Sequence, residues 1–283
     1  IEAIAYAAQQ NVIPAVSSKI TGLARFDLLE KVHQNKVLNA KEKAAYQRVK
    51  QRLHRLCQTA LQSNTAIYFD AEESWIQKTL DALITEMMQA YNVHKPVVYN
   101  TVQLYRHDRL AFLKEAHEEA KKMGYILGVK LVRGAYMEKE RERAKKMGYK
   151  SPIQKSKMAT DTDFNAALLY CTNNVDSIAF CNASHNAKSA LYLAKLVNEK
   201  GIAKNHPHIF YAQLYGMSDN ISFNLAEAGF NVAKYLPYGP VHEVVPYLIR
   251  RANENTAVGG QMGRELSLIK QEMKRRKMFG VLQ

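Results

Sequence analysis

The sequence predicts an α/β fold in which a parallel sheet closes into a (βα)₈ barrel. Along the 283 residues, short apolar runs alternate with longer amphipathic segments. The apolar runs are rich in Val, Ile, Tyr and Phe and are too short for typical helices, so we interpret them as strands. Most of them lie about 30 residues apart, which is the average length of one unit of such a barrel.

The strands and helices follow in order along the chain. Strands are predicted over residues 13–20, 65–70, 96–103, 125–132, 177–183, 208–214 and 231–236. Helices are predicted over 1–9, 73–91, 106–123, 187–200 and 221–228, with Asp219 as the cap of the last one. The long intervals after the first and fourth strands leave room for extra helices.

This set contains seven strands, whereas a barrel needs eight. We therefore expect the first barrel strand to precede residue 1 and to be missing from this chain. The alternative architecture is an open doubly wound sheet, which usually carries a glycine-rich first turn. Neither GxGxxG nor GxxxxGK[ST] occurs in the sequence, and this favours the barrel.

The formal net charge of +14 has several explanations. Basic residues are spread over predicted helical segments (41–55, 139–150 and 270–277), a pattern typical of solvated helix surface. They do not form the single stripe expected of a nucleic-acid-binding protein, so we expect no nucleic-acid partner. An anionic ligand in a positive cleft is a further explanation. The last ~20 residues predict a basic helical tail that can contact a membrane or a protein.

The cysteine and histidine patterns give no sign of a metal site. Cys57, Cys171 and Cys181 form no CxxC pair and are odd in number, so neither a disulfide scaffold nor a zinc site is expected. His185 is the one histidine at a predicted strand end, and convergent ligands around it are not apparent.

Polar residues stand at nearly every predicted strand end. In a parallel barrel these ends meet at one face, where catalytic residues cluster. A single polar strand end can simply mark the entry into a loop. Together they predict a polar pocket, formed by Lys19, Asp70, Gln103, Lys130 to Arg133, Ser184 to Asn186, Gln213 to Gly216 and Tyr235.

Two further segments carry candidate ligand contacts. Arg250 and Arg251 share one predicted helix face with Tyr247 and Glu254, and paired guanidinium groups suit a carboxylate or a phosphate. The alternative is a surface helix with an ion pair. Beyond the fourth strand, Gly134 permits unusual backbone dihedrals or close contact with a ligand, although an ordinary turn explains it equally well.

The chain resembles the proline dehydrogenases through five motifs in a fixed order. They are KLVRGAY (130–136), ASHN (183–186), QLYGM (213–217), YLPYGP (235–240) and YLIRRANEN (247–255). Each motif alone is modest, but the ordered set is specific and extends over roughly residues 12 to 260. The form of the first motif is similar to that of the eukaryotic branch and related bacterial enzymes.

The resemblance implies a distorted (βα)₈ barrel that forms a single domain over residues 1–283 and holds FAD without a covalent bond. It implies oxidation of L-proline to Δ1-pyrroline-5-carboxylate by hydride transfer from C5 to FAD, with electrons passed to a membrane quinone. Peripheral membrane contact would accompany that acceptor. The implied location is the cytoplasmic face of a bacterial membrane or the matrix side of the mitochondrial inner membrane.

The resemblance also assigns roles to residues of this sequence. Asp70 and Lys130 take the catalytic positions, with Lys130 near the reactive flavin nitrogen. Substrate contacts fall on Lys19, Tyr136, Leu214, Tyr235, Tyr247, Arg250 and Arg251, and the two arginines would clamp the carboxylate. Flavin contacts fall on Ala71, Gln103, Lys130, Arg133, Gly134, Ala135, Thr160, Ser184, His185, Asn186 and Glu254.

Two of these positions bear on redox tuning and specificity. Many bacterial relatives carry arginine at the position of Lys130. Relatives that oxidise hydroxyproline carry a small residue at the position of Tyr235, so the resemblance implies a preference for proline. It leaves the proton acceptor unnamed and is compatible with a positioning role for Asp70.

Two other functional classes stay open at this point. A barrel enzyme that acts on phosphorylated or carboxylated small molecules without flavin would bind no FAD. A basic module that binds nucleic acid or anionic lipid would show salt-sensitive binding and no redox activity.

Overall fold

The computed structural model describes residues 1–10, 13–237, 239–242, 244–245, 247–249 and 259–278. The chain divides into two compact units, Ile1–Tyr235 and Leu236–Gln283. The first unit holds the sheet and nine of the α-helices described below. In the second unit, the structure describes one long helix and shorter helical stretches before it.

The first unit is built on seven parallel strands whose order in space is their order in the chain. This is the topology of a (βα) barrel, and the predicted fold class is confirmed. All seven predicted strands are present; the first is shorter at its end than expected, because a 3₁₀ turn (Ile20–Gly22) begins there. The strands are β1 (Ala15–Ser18), β2 (Ala66–Phe69), β3 (Val98–Gln103), β4 (Leu127–Val132), β5 (Ile178–Ala183), β6 (Ile209–Leu214) and β7 (Val232–Tyr235).

The sheet is strongly curled. Lys130 of β4 lies 5.7 Å from the ring centroid of Tyr68 on β2 and 6.0 Å from that of Tyr235 on β7. Five strand spacings separate β2 from β7, which would put them about 24 Å apart in a flat sheet. Both rings can meet one ammonium group only because the sheet bends into a half-barrel around it.

Helices follow the strands as the alternation predicts, and extra helices occupy both long intervals, as expected. They are α1 (Glu2–Gln9), α2 (Phe26–His33), α3 (Ala40–Gln62), α4 (Ser74–Tyr91), α5 (Arg109–Met123), α6 (Met137–Met147), α7 (Lys157–Asn173), α8 (Ala187–Glu199), α9 (Asp219–Glu227) and α10 (Gly259–Met278).

The prediction of Asp219 as a helix cap is wrong. Asp219 is the first residue of α9, and the residue before the helix is Ser218, in the left-handed conformation with φ 53°. The carboxylate of Asp219 instead accepts a hydrogen bond of 2.7 Å from the Lys234 ammonium on β7. The Asp219 carboxylate therefore binds a side chain from β7 and does not cap a backbone N–H group at the start of the helix.

The hydrophobic core lies between the sheet and its helices. Side chains alternate between the two faces of a strand, and the helix-facing set is fully buried, including Phe69, Val98, Leu131 and Phe180. The opposite face of the same strands carries the polar residues described below. Cys57, Cys171 and Cys181 are buried free thiols.

The second unit contains the basic segment predicted at the end of the chain. Helix α10 carries Arg275, Arg276 and Lys277 in its last turn. The first two are paired with Glu272, at 2.7 Å and 3.0 Å. Among the described helices, none combines the length and the apolar character required to cross a bilayer.

Candidate active site

A lysine–carboxylate pair stands at the carboxyl ends of the central strands. Lys130 of β4 forms a salt bridge with Asp70, the residue that follows β2. Ser17 of β1 donates a further hydrogen bond of 3.3 Å to the same carboxylate. The Lys130 and Asp70 side chains are only 13% and 19% exposed, so screening by solvent is limited and the attraction is stronger than that of a surface pair.

Aromatic rings enclose this pair. The ring of Tyr68 contacts Lys130 on one side and that of Tyr99 on the other, at a centroid distance of 4.4 Å. Burial raises the pKa values of Tyr68 and Tyr99 well above their ordinary range. It also raises the pKa of Cys181, which pairs with Lys130 in the register of β4 and β5, to about 12. These neighbours are therefore neutral at physiological pH, and the ammonium keeps its positive field.

A second cation, Lys19, lies beyond the end of β1. Its ammonium donates a 2.8 Å hydrogen bond to the hydroxyl of Tyr136, which follows β4. Burial, the largest single influence, lowers the pKa of Lys19. The hydroxyl of Tyr136 and the carboxylates of Glu72 and Asp70 outweigh it, so the pKa lies above its usual value. Lys19 is therefore a permanent cation, suited to an anionic ligand group such as a carboxylate.

Glu72 supports the turn that carries Lys19. It is 4% exposed and accepts hydrogen bonds from the backbone N–H of Thr21 (3.2 Å) and from its hydroxyl (2.6 Å). Burial raises the pKa of Glu72, and the bonds from Thr21 partly counter it. Sequence reasoning missed this residue, although it lies in the segment that supplied Asp70 and Ala71. A second acid two positions beyond a strand end was the available signal.

Arg133 joins three elements beside the central pair. Its guanidinium donates hydrogen bonds to Asp161 of α7 (2.7 Å), to Ser184 after β5 (2.6 Å) and to Ser189 of α8 (3.0 Å). Burial acts to raise the pKa of Asp161, but bonds from Lys157 and Arg133 lower it overall. Asp161 and Ser189 were not predicted as site residues, because a contact between distant segments has no local sequence signal.

The glycine of the loop after β4 is required by packing. Gly134 has φ 137°, and a Cβ atom added there would lie 2.4 Å from the ring of Tyr105. The unusual dihedral expected from the sequence is present. The close neighbour is a side chain of the protein itself, the Tyr105 ring.

The structure gives local contacts or exposure for the remaining predicted residues of the first unit. His185 Nδ1 lies 3.0 Å from the hydroxyl of Ser218. Asn186 caps α8 by accepting bonds from the N–H groups of Lys188 and Ser189. Thr160 of α7 and Ala71 are both 8% exposed, Ala135 is exposed in the loop after β4, and Leu214 pairs with Tyr235 in register.

Gln103 provides a test of whether a flavin fits this site. It ends β3, it is 2% exposed, and its Oε1 has no hydrogen-bond partner among the described residues. A buried acceptor without a donor costs free energy unless a ligand satisfies it. The flavin ring has an N–H group that can do so. Together with the cations Lys130 and Arg133, this orphan acceptor fits FAD.

Some predicted residues cannot be placed beside this site. Arg250, Arg251 and Glu254 lie outside the described residues, and Tyr247 is helical in the second unit. In the described ranges, no group of three or more His, Cys, Asp or Glu side chains gathers as metal ligands would.

Comparison with known proteins gives consistent matches. A family model described as proline dehydrogenase matches residues 2–264. The chain is 39% identical over 246 residues to proline dehydrogenase 2, mitochondrial, of Arabidopsis thaliana, a match of 85% of this chain and 52% of that protein. It is 38% identical over 253 residues to proline dehydrogenase 1, mitochondrial, of Caenorhabditis elegans, a match of 88% and 41%.

A solved structure shares the fold. The crystal structure of proline utilization A from Bdellovibrio bacteriovorus, inactivated by N-propargylglycine, superposes with a TM-score of 0.78 and 22% identity. The match covers 91% of this chain and 28% of that one. The chain spans about half the length of the curated relatives named above, or somewhat less.

Proposed function

Because the chain belongs to the proline dehydrogenase family, we propose that it oxidises L-proline to Δ1-pyrroline-5-carboxylate, the first step of proline catabolism, with non-covalently bound FAD. The observation that carries this proposal is the Lys130–Asp70 pair, held at the carboxyl ends of the strands and enclosed by tyrosine rings. Bound FAD supplies the acceptor for the hydride that leaves C5 of proline.

The cofactor would be held by residues from several strand ends. Gln103 offers its unpartnered acceptor, and Lys130 places a fixed positive charge where negative charge would develop. Arg133 lies beside them with its fork already oriented by Asp161 and two serines. The remaining proposed flavin contacts within the first unit lie near these residues in the chain or in space. They are Gly134, Ala135, Thr160, Ser184, His185 and Asn186.

Lys19 is the proposed partner of the substrate carboxylate. Its ammonium is charged at neutral pH, and Tyr136 fixes its direction by the 2.8 Å hydrogen bond. We assign the paired guanidinium clamp to Arg250 and Arg251 and further contacts to Tyr247 and Glu254, on the basis of the family motif alone. Leu214 and Tyr235 are proposed walls of the same pocket.

Asp70 is assigned a positioning role. Its carboxylate accepts bonds from Lys130 and Ser17, which leaves it poorly placed to take a proton from the substrate amine. We propose that Asp70 holds the Lys130 ammonium in one position between the rings of Tyr68 and Tyr235. Orientation of a charged group before the reaction is a major source of rate enhancement.

A membrane quinone is the proposed electron acceptor, with peripheral contact to that membrane. The exposed basic end of α10 supports this, although Glu272 already neutralises part of it. The two relatives compared above are named mitochondrial, which supports a mitochondrial location in a eukaryotic source. The matrix side of the inner membrane is the proposed location there, and the cytoplasmic face of the membrane is the proposed location in a bacterial source.

Steady-state turnover tests this proposal. Protein purified with FAD should reduce a soluble quinone analogue when L-proline is added, and trapped pyrroline carboxylate should accumulate in equal amount. D-proline should give little turnover, because the carboxylate would no longer reach Lys19. FAD binding without turnover would refute the substrate, and failure to bind FAD would refute the cofactor.

Substrate preference provides a separate test of Tyr235. The wild-type protein should favour L-proline strongly over 4-hydroxyproline, because the phenol ring of Tyr235, which lies 6.0 Å from Lys130, would crowd the extra hydroxyl of the substrate. Tyr235→Ala should narrow that preference by slowing proline and admitting hydroxyproline. An unchanged ratio in the variant would contradict this role.

A further inference from the structure

The helices that follow β2 and β4, α4 and α6, are joined at their first turns by a buried carboxylate. Glu140 lies in the first turn of α6 and is 0% exposed. It accepts hydrogen bonds from the backbone N–H of Ser74 (2.7 Å) and from its hydroxyl (2.6 Å). Ser74 is the first residue of α4, the helix that follows the segment of Asp70.

The surroundings of Glu140 make this burial unusual. Residues 137, 138 and 139 of the same turn are exposed. In the part of the chain that the structure describes, no lysine or arginine pairs with the Glu140 carboxylate. Its negative charge is balanced instead by the Ser74 donors and by the positive end of the α4 dipole. A buried charge satisfied by so few groups is stable only while the two helix starts stay together.

The contact between the Glu140 carboxylate and Ser74 is called the clamp below. It adjoins a proposed substrate contact. The backbone N–H of Glu140 donates a 2.9 Å bond to the carbonyl of Tyr136, which precedes α6. The hydroxyl of Tyr136 in turn accepts the bond from Lys19. A chain of contacts therefore runs from Ser74 through Glu140 and Tyr136 to Lys19.

We infer that Glu140 is a positioning residue that clamps the first turn of α6 to the start of α4 and so holds Tyr136 and Lys19 in the substrate-binding arrangement. The inference rests on the proposed function and deepens it. Without the clamp, the loop before α6 samples positions in which Tyr136 does not contact Lys19. Bound proline restores the contact between Tyr136 and Lys19. Loss of the clamp therefore lowers the affinity for proline and leaves the reduction rate at saturating proline unchanged.

The only tryptophan of the chain reports on this clamp without substrate or cofactor. Trp75 follows Ser74, and α6 places Arg143 4.3 Å and Lys139 5.7 Å from its ring. If α6 leaves α4, the indole ring loses these cations and gains water. Its emission should then shift to the red and become easier to quench.

The same two helix starts offer a matched control. Glu73 forms a salt bridge with Lys139, whose side chain is 58% exposed. This pair joins the same two elements, but the Glu73 side chain is only 9% exposed, so the isosteric glutamine is chosen to keep its packing while the ion pair to the exposed lysine is lost. Glu73→Gln therefore removes a contact between the same two elements without opening the clamp.

The experiment measures anaerobic flavin reduction against proline concentration in the FAD-loaded protein. Glu140→Gln should raise the half-saturating proline concentration about tenfold, because the binding-competent fraction falls by that factor, while the limiting rate stays near wild type. The Trp75 emission of Glu140→Gln should be red-shifted without proline and recover when proline saturates. Glu73→Gln should match wild type in half-saturating proline concentration and limiting rate; only these two readouts serve as the control, because Lys139 also lies over the Trp75 ring.

Several results would overturn the inference. A folded Glu140→Gln protein with wild-type half-saturation and emission would do so, as would equal effects of Glu73→Gln or a loss confined to the limiting rate. If Glu140→Gln does not fold, Ser74→Ala, which removes the hydroxyl donor, and Ser74→Thr, which keeps it, decide the question. The former should weaken proline binding and the latter should not. If the wild type is not reduced by proline, the proposed function fails, whereas Trp75 still tests the clamp.

Discussion

Substitution of Gly134 tests how the loop after β4 is held. Gly134→Ala introduces a Cβ atom 2.4–2.5 Å from three atoms of the Tyr105 ring, well inside van der Waals contact. It also forces a side chain onto a backbone with φ 137°. The backbone strain costs about 1–3 kcal/mol, and the forced movement of a packed ring costs a further ~1–3 kcal/mol.

Gly148→Ala is the matched control. Gly148 also has a positive φ (72°), but an added Cβ atom would meet no other atom within 4 Å. It should lose only the backbone part, roughly 1–2 kcal/mol. The difference between the two variants combines the contact with Tyr105 and any extra backbone strain at φ 137°; the contact alone should lower the melting temperature of Gly134→Ala by roughly 2–12 °C more.

The assay is thermal unfolding followed by circular dichroism, together with FAD titration of each variant. Gly134→Ala should also bind FAD more weakly, because relief of the clash displaces the loop that holds Arg133 and Ala135. Tyr105→Ala should remove the contact part of the penalty when combined with Gly134→Ala and leave the backbone part, a coupling that a double-mutant cycle measures. Equal losses in Gly134→Ala and Gly148→Ala, or additive effects with Tyr105→Ala, would refute the packing argument.

Three further predictions concern charge and protonation. Lys130→Met should retain the fold but slow proline-dependent flavin reduction by about 100-fold or more, since a fixed charge at the reacting group is lost; rapid-mixing absorbance measures this, and a near-wild-type rate contradicts it. Burial raises the pKa of the Cys57 thiol to about 12, so iodoacetamide should label it at mildly alkaline pH only after unfolding; mass spectrometry that finds labelled Cys57 in folded protein would count against it. Burial between the hydroxyls of Tyr170 (2.9 Å) and Ser177 (2.8 Å) lowers the pKa of His117, so the unfolded chain takes up a proton first. The contribution of neutral His117 to the free energy of unfolding should therefore be present in full above a pH of about 6.5 and be lost as the pH falls below it. Urea titrations at several pH values should show a flatter decline for His117→Gln than for the wild type. An identical decline would contradict this.

Much of the fold could be predicted because the pattern is local. Most strands are short runs rich in Val, Ile, Tyr and Phe with a polar residue at or just beyond their end, and a parallel topology places those polar residues at one face. Lys130, Asp70 and Lys19 were therefore predicted to lie near one another from their positions alone. The wrong cap at Asp219 shows the limit of local reasoning, because Lys234 from another strand claims its carboxylate.

The contacts that organise the site could not be predicted in this way. Asp161 and Ser189 meet Arg133 across 28 and 56 residues of chain, and Ser74 meets Glu140 across 66. Gly134 is a candidate residue in the sequence, but the ring that excludes a side chain there belongs to Tyr105, which follows a different strand, β3. Such pairs depend on how tightly the sheet curls and how helices pack, which strand and helix periodicity does not encode.

We propose that this chain oxidises L-proline through the site around Lys130 and Asp70. A single-turnover experiment tests it most directly: the FAD-loaded protein is mixed anaerobically with L-proline, and the flavin absorbance and the pyrroline product are measured together. We expect bleaching of the flavin with one product molecule formed per flavin, and strong slowing of both in Lys130→Met. A flavin that stays oxidised in the wild type, or a Lys130→Met protein that bleaches at the wild-type rate, would contradict it.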